Sequence, residues 1–446
     1  MARRTNLPED FIVPEISKKE NSLITEIRKY KMITPLFGGG VKAGVNDPVT
    51  PIRGTSVRGQ LRFWWRACKG GQFSSVEEIK DREDLIWGSA ADADKSGCSI
   101  SPVSLFIRTT NFGKKSLRNY SDQNDVLGFA GFPLRGEKNS PPKHVKEDIT
   151  FDLILTYATE FENDVHAALW AWETFGGIGA RTRRGFGQLE CRDVLIGDEI
   201  RKDMIFSNAS IDSLNKFMKK YCSGSGEKTI SKVPLIPHDF NSTNCVFVGN
   251  DPFPVNVWES MIRYLKNFRH QTDMKYGANK WPEADSIKAL EGRKDSDLGF
   301  KRFPRAAFGL PIIFKFMETD HHVPGESYTL IYEKGIDGKN DKERFGSPLF
   351  MSVVKTEKGY SGLIVIMDNC RLRPDQPLFL TSAGSEDGGY SVSHKLSEEQ
   401  AKKLTVSKGY GVQKPFLKGE NGIETDVLKA FINYVKNEEK RGVNKT

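Results

Sequence analysis

The sequence predicts an α+β fold in which two antiparallel sheet-and-helix units follow one another, the second a diverged version of the first with insertions. Three observations carry this. The chain has 446 residues, more than a single core usually fills. Strand and helix signals over the first two hundred residues run strand, helix, strand, strand, helix, strand, and similar signals restart near residue 246 after a polar stretch. At 38% hydrophobic and 28% charged residues, with 28 Phe and 7 Trp, the composition is that of a folded chain with a core to bury.

The first unit is assigned to residues 1–200. Residues 23–36 (LITEIRKYKMITPL) partly alternate apolar and charged side chains before the Gly38-Gly39-Gly40 break, as a strand does. Thr55 or Ser56 offers an N-cap for VRGQLRFWWRAC, so a helix is expected over 56–69, stopped by Gly70-Gly71. Strands are expected over 100–109 and 149–157. Residues 110–148, rich in Gly, Asn, Ser, Pro and charge, form a long excursion between them. A helix over 163–175 leads into GGIGARTRRGFG at 176–187, and a strand over 188–196 closes the unit. This βαββαβ order is the ferredoxin-like one, shared with RRM-like domains.

Residues 201–245 are polar and weakly periodic and read as a linker; 246–446 form the second unit. Its helix over 256–270 places Trp258, Met261, Ile262 and Leu265 at i, i+3, i+4 and i+7. Trp281-Pro282-Glu283 opens a helix-like stretch. Strands are expected over 308–316, 348–355 and 361–367, then a closing helix over 427–436 and a frayed tail.

The net charge of +8 is modest, but residues 23–75 hold nine basic residues against two acidic ones. That concentration points to an anion-binding surface. The six cysteines are scattered without metal-ligand spacing, so neither zinc nor a disulfide framework is expected. The N-terminus lacks an apolar run after its arginines and the longest apolar stretches are strand-sized, which predicts a cytoplasmic chain without a membrane span.

Two features could grip an anion. On the helix over 56–69, Leu61, Trp64, Trp65 and Cys68 form one face, while Arg58, Arg62, Arg66 and Lys69 form a second stripe without an acidic partner at i±4. A solvated face is the ordinary reading of such a stripe; the unrelieved repulsion favours phosphate binding. The tryptophans read as core. The loop at 176–187 combines glycines that bring amide N–H groups close to phosphates with Arg181, Arg183 and Arg184 as forked donors. It follows a helix and precedes a strand, the reverse of a dinucleotide fingerprint, and no P-loop occurs. Lys301, Arg302 and Arg305 form a weaker basic group.

Catalytic signals are sparse. The seven histidines lie mostly in polar loops; His321-His322 reads as an exposed turn and His166 as a satisfied helix imidazole. No catalytic or metal motif is expected, although one histidine with nearby lysines can build a metal-independent ribonuclease.

Set together, PIRGTSVRGQLRFWWR at 51–66 and GIGARTRRGFG at 177–187 resemble the RAMP superfamily, and within it the first-subunit family of the Cmr (type III-B CRISPR) RNA-targeting complexes. Trp281-Pro282-Glu283 and FPRAAFGLP at 303–311 are similar to the second half of that family. The resemblance implies two ferredoxin-like domains and a non-catalytic, RNA-binding role in antiviral defence. It places such a subunit at the 3′ part of the guide crRNA and the 5′ end of the target RNA, beside other RAMP subunits. No cofactor, metal, membrane or small-molecule substrate is implied. The RNA-binding residues expected are Lys42, Arg53, Arg58, Arg62, Arg66, Gly177, Gly179, Arg181, Arg183, Arg184, Gly185 and Phe186, with Lys301, Arg302 and Arg305 as second-domain contacts. The rivals are a metal-independent RNA-processing endoribonuclease, which the superfamily also contains, and a protein–protein scaffold.

Overall fold

The computed structural model describes residues 23–40, 44–89, 100–122, 124–135, 143–222, 233–270, 281–292, 301–316, 327–332, 344–382, 389–405, 417, 419 and 422–443. The first half contains β1 (Leu23–Met32), α1 (Gly54–Lys69), α2 (Val76–Trp87), β2 (Ser104–Lys115), β3 (Lys146–Ala158), α3 (Glu162–Phe175), β4 (Leu189–Ile196) and β5 (Glu199–Ile200). Its antiparallel sheet runs β2-β3-β1-β4-β5, so the strands of the expected βαββαβ order close with β3 and β1 in the middle. Helices α1 and α3 pack on one face, where Leu61, Trp64, Trp65, Ala168 and Trp172 meet Phe151, Leu153 and Leu155 of β3. The paired tryptophans are core, as their helical spacing indicates.

Strand β1 turns its charged residues inward. Glu26, Arg28, Tyr30 and Met32 are buried, while Thr25 and Lys29 on the other face are exposed. The charges are tolerated because they close on one another. Arg28 donates to Glu26 Oε1 at 2.5 Å and to Glu173 Oε1 at 2.9 Å; the Tyr30 and Tyr157 hydroxyls donate to Glu173 and Glu26, each at 2.5 Å. His166 Nε2 lies 2.9 Å from Glu26 Oε2 and completes the group, a satisfied imidazole as expected.

Several local expectations give way. The cap of α1 is Arg53, in extended conformation and without a side-chain cap bond, so Thr55 and Ser56 fall inside the first turn. Helix α2 was not anticipated, although Ser75 accepts from the Glu78 N–H and Glu78 accepts from the Ser74 N–H, a clear start signal. The excursion begins as an extension of β2 to Lys115 and then makes 3₁₀ turns at Val126–Phe129 and Phe132–Leu134. Within the stretch read as a linker lies α4 (Ile211–Tyr221), whose Leu214, Met218 and Tyr221 join the first core.

The second half contains β6 (Cys245–Asp251), α5 (Pro254–His270), α6 (Glu283–Leu290), β7 (Ile312–Lys315), β8 (Ser327–Ile331), β9 (Leu349–Thr356), β10 (Gly359–Ile366), β11 (Leu378–Ser382), β12 (Tyr390–Val392), α7 (Glu398–Thr405) and α8 (Val427–Val443). One sheet runs β6-β10-β9, and a separate four-stranded sheet runs β12-β11-β8-β7. The strand expected over 308–316 is divided into a 3₁₀ turn, Pro304–Phe308, and β7. The closing helix continues to Val443 through most of the presumed tail.

Strands β9 and β10 are near-continuous apolar runs because they are covered on both faces. Phe350, Val354, Leu363 and Val365 face the first half; Met351, Val353, Ile364 and Ile366 face α5 and α8. The two halves therefore share buried surface. Trp64 of α1 meets Phe350 edge to face, ring centroids 5.5 Å apart. From the excursion, Tyr120 stacks on Trp258 of α5 at 5.8 Å.

Candidate nucleic-acid interface

The Gly/Arg loop leaves α3 at Gly176 and is folded tightly on itself and on the turn after β1. The N–H groups of Gly176, Ile178, Ala180, Gly185 and Gly187 donate to the carbonyls of Trp172, Gly187, Phe37, Thr182 and Pro35. These amides, that of Gly185 among them, are bonded within the protein rather than presented to a phosphate. The glycines instead permit close approach. Gly185 has φ +83°, and a Cβ there would lie 2.4 Å from Trp258 Nε1; at Gly187, φ +65°, it would lie 1.9 Å from the Ile178 carbonyl. Phe186, expected among the RNA-binding residues, is fully buried, 4.8 Å from Trp258 and 5.5 Å from Phe37.

The three loop arginines divide. Arg183 donates to the Ser347 carbonyl at 2.8 Å and lies 4.6 Å over the Phe350 ring. Arg184 donates to the Leu349 carbonyl at 3.0 Å, while its own carbonyl accepts from Trp258 Nε1 at 2.7 Å. Both pin the loop to the second half. Arg181, held at φ 60°, lies 4.4 Å over Phe132, and among the described residues its guanidinium has neither a hydrogen bond nor a carboxylate partner.

A second wall comes from the other half. Arg269, at the end of α5, lies 6.0 Å from the Phe129 ring and 5.7 Å from Phe308, also without a carboxylate hydrogen-bonded to it among the described residues. Arg305 is the compensated member: its Nε is 3.2 Å from Glu283 Oε1, close enough for charge attraction but off line for a hydrogen bond. Burial and neighbouring arginines together disfavour these charges. Arg184 is pushed down to about 9 by burial and then by Arg269, Arg181 and Arg183. Arg181 is pushed down to about 10 by burial, and Arg269 to about 10 by burial and Arg305. Burial and the adjacent Arg269 also lower His270. At these values Arg181, Arg184 and Arg269 remain charged at neutral pH, so the cluster is a standing concentration of positive charge.

The arginine stripe of α1 is used otherwise. Arg58 donates to the Trp87 and Val103 carbonyls, each at 3.1 Å, and to Ser101 Oγ at 2.9 Å. Arg62 pairs with Glu83 and with Asp84 at 3.2 Å; Arg66 pairs with Glu83 at 2.5 Å. Lys69 is buried. The acidic partners missing at i±4 are supplied by α2 to Arg62 and Arg66, so in this structure the stripe, expected to bind an anion, docks a helix. Arg53 keeps a buried Nε without a hydrogen-bond partner among the described residues. Lys42 lies outside the described residues. Lys301 is exposed, and Arg302 is tied by its backbone N–H to Ser286 Oγ at 2.9 Å.

Sequence reasoning missed Arg269, Phe129 and Phe132. The basic end of α5, FRH, is ordinary dipole compensation in one dimension, and the two phenylalanines lie in a segment without periodicity. Only folding brings them to the loop.

Residues 29–190, which include α1 and the Gly/Arg loop, match the model of the RAMP superfamily. The CRISPR system Cmr subunit Cmr1-1 of Pyrococcus furiosus is 25% identical over 180 residues, 40% of this chain and 51% of that protein. Cmr subunit Cmr1-2 of the same organism is 25% identical over 172 residues, 35% of this chain and 90% of that protein. The match thus spans about half of the first relative's length. Among solved structures, the apo form of Cmr1 from Pyrococcus furiosus aligns with a TM-score of 0.45 at 16% identity, over 82% of this chain and 93% of that one. A chain of the type III-B Cmr-beta structure bound to cognate target RNA aligns at 0.44 and 15%, over 92% and 99%. Family model and curated relatives agree in what this part of the chain is similar to: residues 29–190 match the RAMP superfamily, and the curated relatives are subunits of the Cmr system.

Proposed function

We propose that this chain is a non-catalytic RNA-binding subunit of a type III-B CRISPR (Cmr) ribonucleoprotein, built from two ferredoxin-like units in tandem. It contacts the 3′ part of the guide crRNA and the 5′ end of the target RNA beside other RAMP subunits, in antiviral defence. The observation that carries the reading is Arg181. It sits in the Gly/Arg loop inside the RAMP match, part-buried on Phe132, with no carboxylate among the described residues to neutralise it. A guanidinium so placed is stabilised by a phosphate supplied from outside.

The test uses the full chain and a labelled single-stranded RNA across a salt series. Arg181→Ala weakens binding and reduces the log-log salt slope by about 0.7, the share of one phosphate contact on a single strand. A wild-type chain without RNA affinity at low salt moves the assignment to a scaffold. Discrete cleavage of a precursor RNA in EDTA, lost on histidine substitution, moves it to an endoribonuclease.

A further inference from the structure

Three separate segments converge on the loop: the 3₁₀ turns at Val126–Phe129 and Phe132–Leu134, the end of α5, and the turn at Pro304–Phe308. Phe308 joins them, since its ring faces Arg269 at 5.7 Å and its carbonyl lies 3.5 Å from Arg184 Nη2. Arg305 Nη1 approaches the Arg269 carbonyl at 3.4 Å. Five guanidinium groups, from Arg181, Arg183, Arg184, Arg269 and Arg305, therefore lie near one another, and the carboxylate recorded beside them among the described residues is Glu283, which faces Arg305 and Arg269. Such an excess of like charge in a part-buried place is costly unless an anion with several acceptor oxygens completes it. The walls favour one kind of anion. Phe132 is exposed and carries Arg181 on its ring, while Phe129 and His270 pair at 5.5 Å; flat rings beside a phosphate site suit an unpaired base.

We propose, building on the RNA-binding reading, that Arg181 from the first half and Arg269 from the second seat one phosphodiester of a single-stranded RNA, with the adjacent base against the Phe129/Phe132 wall. Arg183 and Arg184 hold the loop at the distance the seat requires, and Arg305 is retained by Glu283. The strand then bridges the two halves at a single phosphate.

The experiment measures fluorescence anisotropy of a labelled twelve-nucleotide oligouridylate with the full chain, over a salt series, for wild type, Arg181→Gln, Arg269→Gln and the double variant. Each single variant weakens binding roughly tenfold and lowers the slope by about 0.7. Because both residues serve one phosphate, the double variant also lowers the slope by about 0.7 and not by twice that. Unchanged affinity for Arg269→Gln, with a loss for Arg181→Gln, overturns the shared seat and leaves the RNA-binding reading standing. Slope losses that add in the double variant likewise overturn it, since they denote two phosphates. A wild type that shows no affinity overturns both. Thermal melting reports whether the variants fold. Should Arg269→Gln not fold, Arg269→Lys keeps the charge but loses the fork, so its affinity falls severalfold at an unchanged slope; affinity equal to wild type overturns the seat.

Discussion

Arg66 of α1 donates to Glu83 of α2 at 2.5 Å, and the same carboxylate oxygen also accepts from Arg62. A single buried acid thus absorbs the middle of the arginine stripe. Glu83 lies 17 residues from Arg66 and 21 from Arg62, so no helical spacing within α1 reveals it.

Glu83→Ala is expected to lower stability by about 1–3 kcal/mol, because it removes charge-assisted hydrogen bonds from two part-buried guanidinium groups at once. Urea unfolding of the variant checks this. A midpoint equal to that of wild type would show that the stripe does not need α2.

Gly185→Ala adds a Cβ at positive φ and directs it at Trp258 Nε1. The strained backbone alone costs about 1–3 kcal/mol, and the clash displaces the Trp258 bond to the Arg184 carbonyl. The variant should unfold at lower urea and bind RNA less tightly, since the loop that carries Arg181 is held by that contact. Normal RNA affinity in a destabilised variant would separate loop docking from binding.

Burial alone would raise the Glu26 carboxyl, but Arg28 and the bonds from His166 and Tyr157 outweigh it and hold it down to about 2. A depressed carboxyl stabilises the fold above its unfolded value, about 4.3, and that contribution is lost as pH falls toward 2. Glu173 acts in the opposite sense, since burial raises it. Urea midpoints measured from pH 5 to pH 2 should therefore fall steeply for wild type and less steeply for Glu26→Gln. Parallel curves would refute the assignment.

Much of the first half was legible. Alternation, helical spacing and glycine punctuation placed β1, α1, β3, α3 and β4 to within a few residues, and the apolar runs at β9 and β10 marked strands, whose cover on both faces only the structure shows. The turns at 126–134 and helix α4 were not, because short elements with mixed composition carry no period of their own. Facing was also ambiguous in β1, where the buried positions include Glu26 and Arg28: their partners Glu173, Tyr157 and His166 come from β3 and α3, more than a hundred residues away.

The arginine-rich helix and loop were determined by the sequence alone, as concentrations of charge and glycine beside a tryptophan core. Their division of labour was decided only in three dimensions. A guanidinium exhausts its donors on whatever carbonyls and carboxylates the packing brings to it, so α2 takes Arg58, Arg62 and Arg66, and β9 with the segment before it takes Arg183 and Arg184. Arg181 keeps its charge uncompensated among the described residues because packing places an aromatic ring, and no acid, against it, while Arg269 lies between aromatic rings and shares Glu283 with Arg305.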